Sequence, residues 1–193
     1  RRGDDRLEGN AGDDKLLGGS DDDRLDGGDG NDVLLAHHGM DVMLGRDGSD
    51  VLIGGDGADV IEGGPGDDKL FGGGGSDLVF AGDGDDRIEG DTGNDRLFGG
   101  PGNDLIIGNA GHDQIDGEGG DDKILGGAGV DVLVGADGDD IVAGQGGLSN
   151  QVSGGSGDNR IIGPAEDVDE TIAINRTGLN QHPQLGPVGD VTI

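Results

Sequence analysis

Aspartate recurs at every ninth residue of this sequence from position 5 to position 140, and no insertion or deletion breaks the spacing. A carboxylate is a hard oxygen ligand, and Ca2+ takes about six to eight such oxygens from carboxylates and backbone carbonyls. Glycine-rich segments alternate with the aspartates, and glycine leaves nearby carbonyls unobstructed because it has no Cβ. Each repeat therefore offers both kinds of oxygen. The candidate metal ligands are Asp5, Asp14, Asp23, Asp32, Asp41, Asp50, Asp59, Asp68, Asp77, Asp86, Asp95, Asp104, Asp113, Asp122, Asp131 and Asp140.

The aspartate is one position of a nine-residue repeat that fills residues 3–143. Numbered from Gly63, the repeat reads G-G-P-G-D-D-K-L-F, with aspartate at position 6 and an aliphatic residue at position 8. Position 4 is glycine in every copy except one, where Asp21 stands instead. The pattern resembles the calcium-binding nonapeptide of the RTX (repeats-in-toxin), or hemolysin-type, family, and the resemblance covers about three quarters of the chain.

The composition, by contrast, is that of a chain with little hydrophobic core. The sequence contains 48 glycines, three phenylalanines and no tryptophan or tyrosine, and its formal net charge is −30. Such values are typical of disordered acidic segments, so an unfolded glycine-rich coil is the alternative to a repeat fold. One aliphatic side chain per repeat is too little to offset the backbone entropy lost on folding. Another source of stability is needed, and it must also reduce the repulsion between carboxylates.

The repeat predicts the elements that position the aspartates. Positions 1 to 6 favour a turn, and positions 7 to 9, as in residues 51–53, favour a short strand with position 8 facing one way and its neighbours the other. The family resemblance implies an all-β fold, the calcium-bound parallel β-roll, in which two nonapeptides form a coil of about 18 residues. In such a solenoid the strands make two short-stranded parallel sheets, and the position-8 residues fill the thin interior.

Three regions follow from where the repeat holds and where it fails. Residues 1–143 are the regular roll, for which we expect about eight coils. Residues 144–163 are degenerate repeats in which Asn150 and Asn159 take the aspartate place, and we expect them to cap the roll. Residues 164–193 are a tail with two strand-like runs, Glu170–Asn175 and Val188–Ile193.

Aspartates two repeats apart should lie on successive coils, where two stacked turns can share one ion. The sixteen aspartates form fourteen such pairs, from Asp5 with Asp23 to Asp122 with Asp140. About 14 Ca2+ ions would bring roughly +28 against the formal charge of −30, which favours calcium binding over a solvated acidic face. Magnesium suits the turns less well because it requires tighter octahedral geometry. The family resemblance implies that the ions form two files, one along each edge of the roll.

No pattern in the sequence indicates catalysis. The chain has no cysteine, no H-E-x-x-H and no G-x-S-x-G, and calcium accounts for the aspartates, so we do not expect an enzyme. The four histidines, His37, His38, His112 and His182, are too scattered to indicate a transition-metal site and are expected to be exposed. So acidic a surface disfavours nucleic acid as a partner. No apolar run approaches the roughly 20 residues of a membrane span.

One set of outward-facing positions suggests an interface. In alternate repeats position 9 is mostly apolar, and we call the following residues the apolar ladder: Leu17, Leu35, Ile53, Phe71, Ile107 and Leu125. Exposed apolar surfaces usually mark interfaces, so we expect the tail, a second copy of the chain or a further domain to cover the ladder. The alternative is that these residues only favour the strand conformation. The open ends of the roll offer a second route to a homo-oligomer or filament.

The family resemblance also implies a location and a function. It implies a secreted, extracellular or cell-surface protein that is exported unfolded by a type I system and folds where calcium is plentiful. Two functions fit. In the first, the chain is a calcium-binding rod, or an end-to-end element of a filament, matrix or adhesin. In the second, it is the C-terminal folding and type I secretion module of a larger secreted enzyme or toxin.

Overall fold

Two parallel β-sheets make up the chain in this computed structural model, which describes residues 3–146 and 150–163. Eighteen strands alternate between the sheets, so each coil contributes one strand to each sheet. The described ranges contain no helix, and therefore none long and apolar enough to cross a membrane. The strand-like runs expected at Glu170–Asn175 and Val188–Ile193 lie outside the described residues.

Strands stack in chain order within each sheet, every one parallel to its neighbours. The first sheet contains β1 (Arg6–Ala11), β3 (Arg24–Asp29), β5 (Val42–Asp47), β7 (Val60–Pro65), β9 (Leu78–Asp83), β11 (Arg96–Pro101), β13 (Gln114–Gly119), β15 (Val132–Val134) and β17 (Gln151–Ser153). The second sheet contains β2 (Lys15–Ser20), β4 (Val33–His38), β6 (Val51–Asp56), β8 (Lys69–Gly74), β10 (Arg87–Thr92), β12 (Leu105–Ala110), β14 (Lys123–Ala128), β16 (Ile141–Ala143) and β18 (Arg160–Ile162).

The register between neighbouring strands is two repeats, as Leu52 opposite Leu70 illustrates. The same position of each repeat therefore lies above its counterpart along the whole sheet. Near the C-terminal end the register lengthens by one residue, with Leu133 opposite Val152, because the repeat that begins at Gly144 is ten residues long. The prediction of a parallel β-roll with two repeats per coil is confirmed, and each sheet contains nine strands, one per turn of the solenoid.

The strands are longer than the repeat pattern predicts. The sequence places positions 1 to 6 in a turn, whereas the regular strands continue through positions 1 to 3 and the turn is confined to positions 4 to 6. In β6, for example, Gly55 still lies opposite Gly73 and Asp56 opposite Gly74. The prediction of the turn's length is wrong because it rests on the low strand propensity of glycine. In the roll every coil repeats the same backbone path, so amides and carbonyls pair even where the residue is glycine.

The core is one column of aliphatic side chains between the sheets. Position 8 supplies it as predicted, and Leu25, Ile61 and Leu97 are completely buried. Position 1 also faces the interior, where Ala36 and Ala81 are completely buried and glycine occupies the place in the other regular repeats. The interior is therefore only one large residue deep, and the aspartates at the turns border it on both sides.

Glycine is required at position 4 but only preferred at position 2. Gly93, at position 4, has a φ of 143°, and a side chain there would overlap the carbonyl oxygen of Gly75 in the preceding coil. At position 2 other residues move into the left-handed region, as Asn109 does with a φ of 74°. Asp21, the exception at position 4, has a φ of 79°, which confirms that aspartate can enter this region. Position 4 is thus the glycine that lets successive turns stack closely.

Candidate calcium-binding turns

Each coil has two turns, and the turns stack into two edges of the roll. The first edge starts with residues 12–14 and the second edge with residues 3–5, and both continue at intervals of two repeats. Each position-6 aspartate is the last residue of its turn, immediately before a strand. Its backbone is fixed by the next coil, as when the amide of Arg87 donates to the carbonyl of Asp68 over 2.9 Å.

The structure brings together every aspartate pair that the sequence predicts at a spacing of two repeats. The backbone amide of each aspartate donates to carboxylate Oδ1 of the aspartate one coil later, over 2.7–3.0 Å. The donors are Asp5, Asp14, Asp23, Asp32, Asp41, Asp50, Asp59, Asp68, Asp77, Asp86, Asp95, Asp104, Asp113 and Asp122. One oxygen of each accepting carboxylate is thereby held in place.

The second carboxylate oxygen, Oδ2, is buried and has no hydrogen-bond partner among the described residues in fifteen of the sixteen aspartates. These are Asp5, Asp23, Asp32, Asp41, Asp50, Asp59, Asp68, Asp77, Asp86, Asp95, Asp104, Asp113, Asp122, Asp131 and Asp140. From Asp23 onward the residues are only 0–3% exposed. A buried carboxylate oxygen without a partner carries a large desolvation penalty. Its recurrence at one place in every turn indicates that the turns are built around a cation.

Backbone oxygens border the same place. A side chain at position 1 would run into Oδ2 of the aspartate five residues later, as one at Gly72 would meet Asp77. The same side chain would lie 2.9 Å from the carbonyl oxygen of Gly90, which is position 1 of the next coil. The missing Cβ thus leaves a small space between a carboxylate oxygen of one coil and a carbonyl oxygen of the next. Hard oxygens of both kinds are the ligands that Ca2+ prefers.

Burial raises the pKa of the aspartates in the middle of the roll. Five of them have a pKa raised to about 7, mainly by burial and partly by neighbouring carboxylates: Asp68, Asp86, Asp95, Asp104 and Asp122. Burial likewise raises the pKa of Asp59 to about 6. The hydrogen bond from the amide of the preceding aspartate opposes this pKa shift without cancelling it. An ionised carboxylate is therefore unfavourable here at neutral pH unless a positive charge accompanies it.

A second ladder of side chains, at position 5, was not predicted from the sequence. Its side chains accept hydrogen bonds from the position-5 amide one coil later, as Asn103 does from Asp121 over 2.9 Å. In the aspartate ladder the accepting side chain belongs instead to the later coil, so the two ladders run in opposite senses. At His112 the acceptor is Nδ1, 2.8 Å from the amide nitrogen of Val130, which requires the proton on Nε2. The signal in the sequence is the prevalence of Asp, Asn and Ser at this position.

The two edges differ in charge although their aspartate ladders are alike. Across the sixteen regular repeats, five of eight position-5 residues are acidic on the first edge and two of eight on the second. These residues are Asp13, Asp67, Asp85, Asp121 and Asp139 on the first edge and Asp4 and Asp22 on the second. The second edge instead exposes apolar side chains such as Met40 and Val130. The first edge therefore has the more negative potential.

Carboxylates alone do not complete a metal site. Within residues 3–146 and 150–163, no three histidine, cysteine, aspartate or glutamate side chains converge on one point. A cation at a turn would draw on the aspartates of successive coils and complete its shell with backbone carbonyls. The histidines take no part: His37, His38 and His112 are exposed as predicted, and His182 lies outside the described residues.

A parallel β-roll in which stacked turns bury carboxylate oxygens beside open carbonyls defines a calcium-binding solenoid. The profile of the RTX calcium-binding nonapeptide repeat, in four copies, matches residues 2–34, 44–79, 80–115 and 116–148. These segments cover more than half of the chain, and the protein belongs to this family. The gap between the first two segments contains Ala36 and His37, which replace the paired glycines of the repeat. No curated protein matches the sequence significantly.

Proposed function

We propose that this chain is an extracellular structural module that folds when it binds calcium and then acts as a stiff rod. The observation that carries the proposal is the row of fifteen buried Oδ2 atoms without a partner among the described residues. An interior one aliphatic residue deep does not offset the burial of so many carboxylates. Because the metal site is assembled only by stacked coils, calcium binding contributes directly to the free energy of folding.

Each residue of the turn has a distinct part in holding the ion. Oδ1 of the aspartate is oriented by the amide of the preceding coil, which leaves Oδ2 for the metal. The glycine at position 1 keeps the space beside Oδ2 open, and the glycine at position 4 allows the turns to stack. Bound Ca2+ supplies the positive charge that the paired carboxylates lack. The fourteen pairs support about 14 ions, which would nearly cancel the net charge of −30.

Circular dichroism of the full chain tests the coupling between calcium and folding. We expect a β-sheet spectrum and a compact hydrodynamic radius in millimolar calcium, and a disordered spectrum in excess EDTA. Equal concentrations of magnesium are the control, and should restore little structure because Mg2+ holds its water and prefers a regular octahedral shell. An unchanged β-sheet spectrum after rigorous removal of divalent cations would contradict the proposal.

Self-association is the part of this proposal that concerns partners. Leu17 and Ile53 of the apolar ladder are 48% and 36% exposed, which supports a second copy of the chain as the occupant of this face. At the N-terminal end, β1 and β2 each have a neighbour on one side only, an arrangement that favours end-to-end pairing. Sedimentation of a Leu17→Ser/Ile53→Ser variant tests the ladder. Val60→Ser, at a similarly exposed apolar residue of the other sheet, is the control.

The second candidate function is the C-terminal folding and secretion module of a larger secreted enzyme or toxin. It is favoured by the difference between the two ends of the roll. The last coil replaces the aspartates with Asn150 and Asn159, whereas the first coil retains Asp5 with a buried Oδ2 that lacks a partner in the described structure. Electron microscopy of the chain in calcium distinguishes the two functions. Long fibres support the filament element, and uniform short rods support the module.

A further inference from the structure

The last turn of each edge contains asparagine where every earlier turn contains aspartate. Asn159 ends the first edge and Asn150 ends the second. Their Oδ1 atoms continue the ladder: the amide of Asp140 donates to Asn159 over 2.7 Å, and that of Asp131 donates to Asn150 over 2.8 Å. Asparagine therefore retains the part of the aspartate that ties one coil to the next.

The other half of the side chain behaves differently. Where aspartate has an Oδ2 without a partner, asparagine has an amide nitrogen that donates to carbonyl oxygens of its own repeat. Nδ2 of Asn159 lies 2.7 Å from the oxygen of Gly154 and 3.1 Å from that of Ser156. Nδ2 of Asn150 donates to the carbonyl of Gly144. Both asparagines are buried, so these bonds satisfy donors that water does not reach.

The amide group lies in the space that Oδ2 borders in the earlier turns. A side chain at Gly154 would come within 2.9 Å of Nδ2 of Asn159, as one at an earlier position-1 glycine would meet Oδ2. In the aspartate turns, carbonyl and carboxylate oxygens of like partial charge face this space, and only a cation can satisfy both. In the asparagine turns the N–H groups satisfy the carbonyls directly.

We propose that Asn150 and Asn159 are metal-free caps, whose side-chain amides replace the calcium ion in the last turn of each edge. The inference rests on the proposed calcium-dependent folding. A neutral amide adds no negative charge and presents hydrogens where a cation would need oxygens. Both files of ions therefore stop before the last coil, which is held by hydrogen bonds and by the burial of Val152.

Calcium stoichiometry of the full chain tests the proposal. We expect the double variant Asn150→Asp/Asn159→Asp to bind two more ions per chain at saturation than the parent, measured by equilibrium dialysis. The matched control is Asn94→Asp/Asn103→Asp, which adds the same charge at position 5 of the same two edges. Those side chains are exposed and already cap the amides of His112 and Asp121, so the control should bind the same number of ions as the parent.

The reverse exchange keeps the test decisive if the double variant does not fold. Asp104→Asn should lose one ion yet fold at a lower calcium concentration than Asp104→Ala, because only the asparagine can donate to the turn carbonyls. An unchanged stoichiometry in the double variant, or equal calcium midpoints for the two Asp104 variants, would overturn the proposal. A parent chain that binds no calcium would instead overturn the proposed function, so the two failures are distinguishable.

Discussion

The backbone amide of Asp50 donates a hydrogen bond of 2.7 Å to Oδ1 of Asp68, one coil later, while Oδ2 of the same carboxylate is buried without a partner among the described residues. The two oxygens of one side chain therefore do different things. Oδ1 ties consecutive coils together whether or not a metal is bound. Oδ2 makes the coil dependent on a cation.

Replacement of Asp68 should separate these two contributions. In Asp68→Ala the amide of Asp50 loses its acceptor, whereas in Asp68→Asn it keeps one. In saturating calcium we expect the alanine variant to be less stable than the asparagine variant by about 1–3 kcal/mol, the penalty for a buried unpaired amide. Thermal unfolding measures the difference. Asp67→Ala, at an exposed position where water can replace the lost bond, should differ from the parent by about 0.5 kcal/mol or less.

Acid should favour the metal-free fold. Burial raises the pKa of Asp86 and Asp104 to about 7 in the folded chain, from an ordinary value of 3.8. The folded state therefore binds more protons than the unfolded state between these values, and its stability falls as the pH rises. We expect the chain in EDTA to gain β-sheet structure on acidification from pH 8 to about 4, with the stabilisation complete below the unfolded pKa. Circular dichroism follows the transition.

Calcium affinity should change with pH in the opposite direction. Protons compete with the cation for the same Oδ2 atoms, so the apparent affinity should rise with pH up to about 7 and then level off. Calcium titrations at pH 5.5, 6.5 and 7.5 measure this dependence. An affinity independent of pH across this range would show that the buried aspartates do not bind the metal.

Glycine at position 4 should be far more sensitive than glycine at position 2. Gly93→Ala would place a methyl group on the carbonyl of Gly75, at a φ of 143° that alanine avoids, and should cost about 3 kcal/mol or more. Gly73→Asn, at position 2, should cost only about 1 kcal/mol, because Asn109 already occupies the equivalent place. Unfolding in calcium compares the two variants. Equal losses would contradict the explanation of the regular glycine spacing within this chain.

Exposed acids on the first edge should raise its affinity for calcium. Asp85 contributes, after burial, to the raised pKa of both Asp86 and Asp104, so its charge reaches both turns. Asp85→Asn should weaken calcium binding at these turns about two- to fivefold in low salt. Asn94→Asp, on the less acidic edge, should strengthen binding by a similar factor. Both effects should fade as the salt concentration rises, and isothermal titration at two ionic strengths measures this.

Strict spacing made the coil and its register predictable from the sequence. An aspartate and an aliphatic residue held two positions apart, as Asp68 and Leu70 are, fix which side chains stack and which fill the interior. The length of the strands was not predictable from glycine propensities, since Gly55 pairs only because the next coil repeats its backbone. Here the stack of coils overrides the preference of the single residue.

The chemistry of neighbouring acids was the hardest part to predict. Asp67 and Asp68 are adjacent and identical in type, yet the first is exposed at position 5 and the second is buried at position 6. Asn159, likewise, resembles a weakened aspartate in the sequence. Only the structure shows that its amide nitrogen donates to two carbonyls of its own repeat. These distinctions depend on the direction of a side chain, which a one-dimensional pattern does not contain.

Every inner strand is paired only with the strands one coil before and one coil after it. Tension applied to the two ends of the rod would therefore peel coils away singly from the ends, as in other solenoids. Each coil, being two nonapeptides, would lengthen the protein by about 60 Å of extended chain. A calcium-loaded roll is in this sense a tether with a built-in reserve of length, which extends in equal steps and rewinds only where the ion is present.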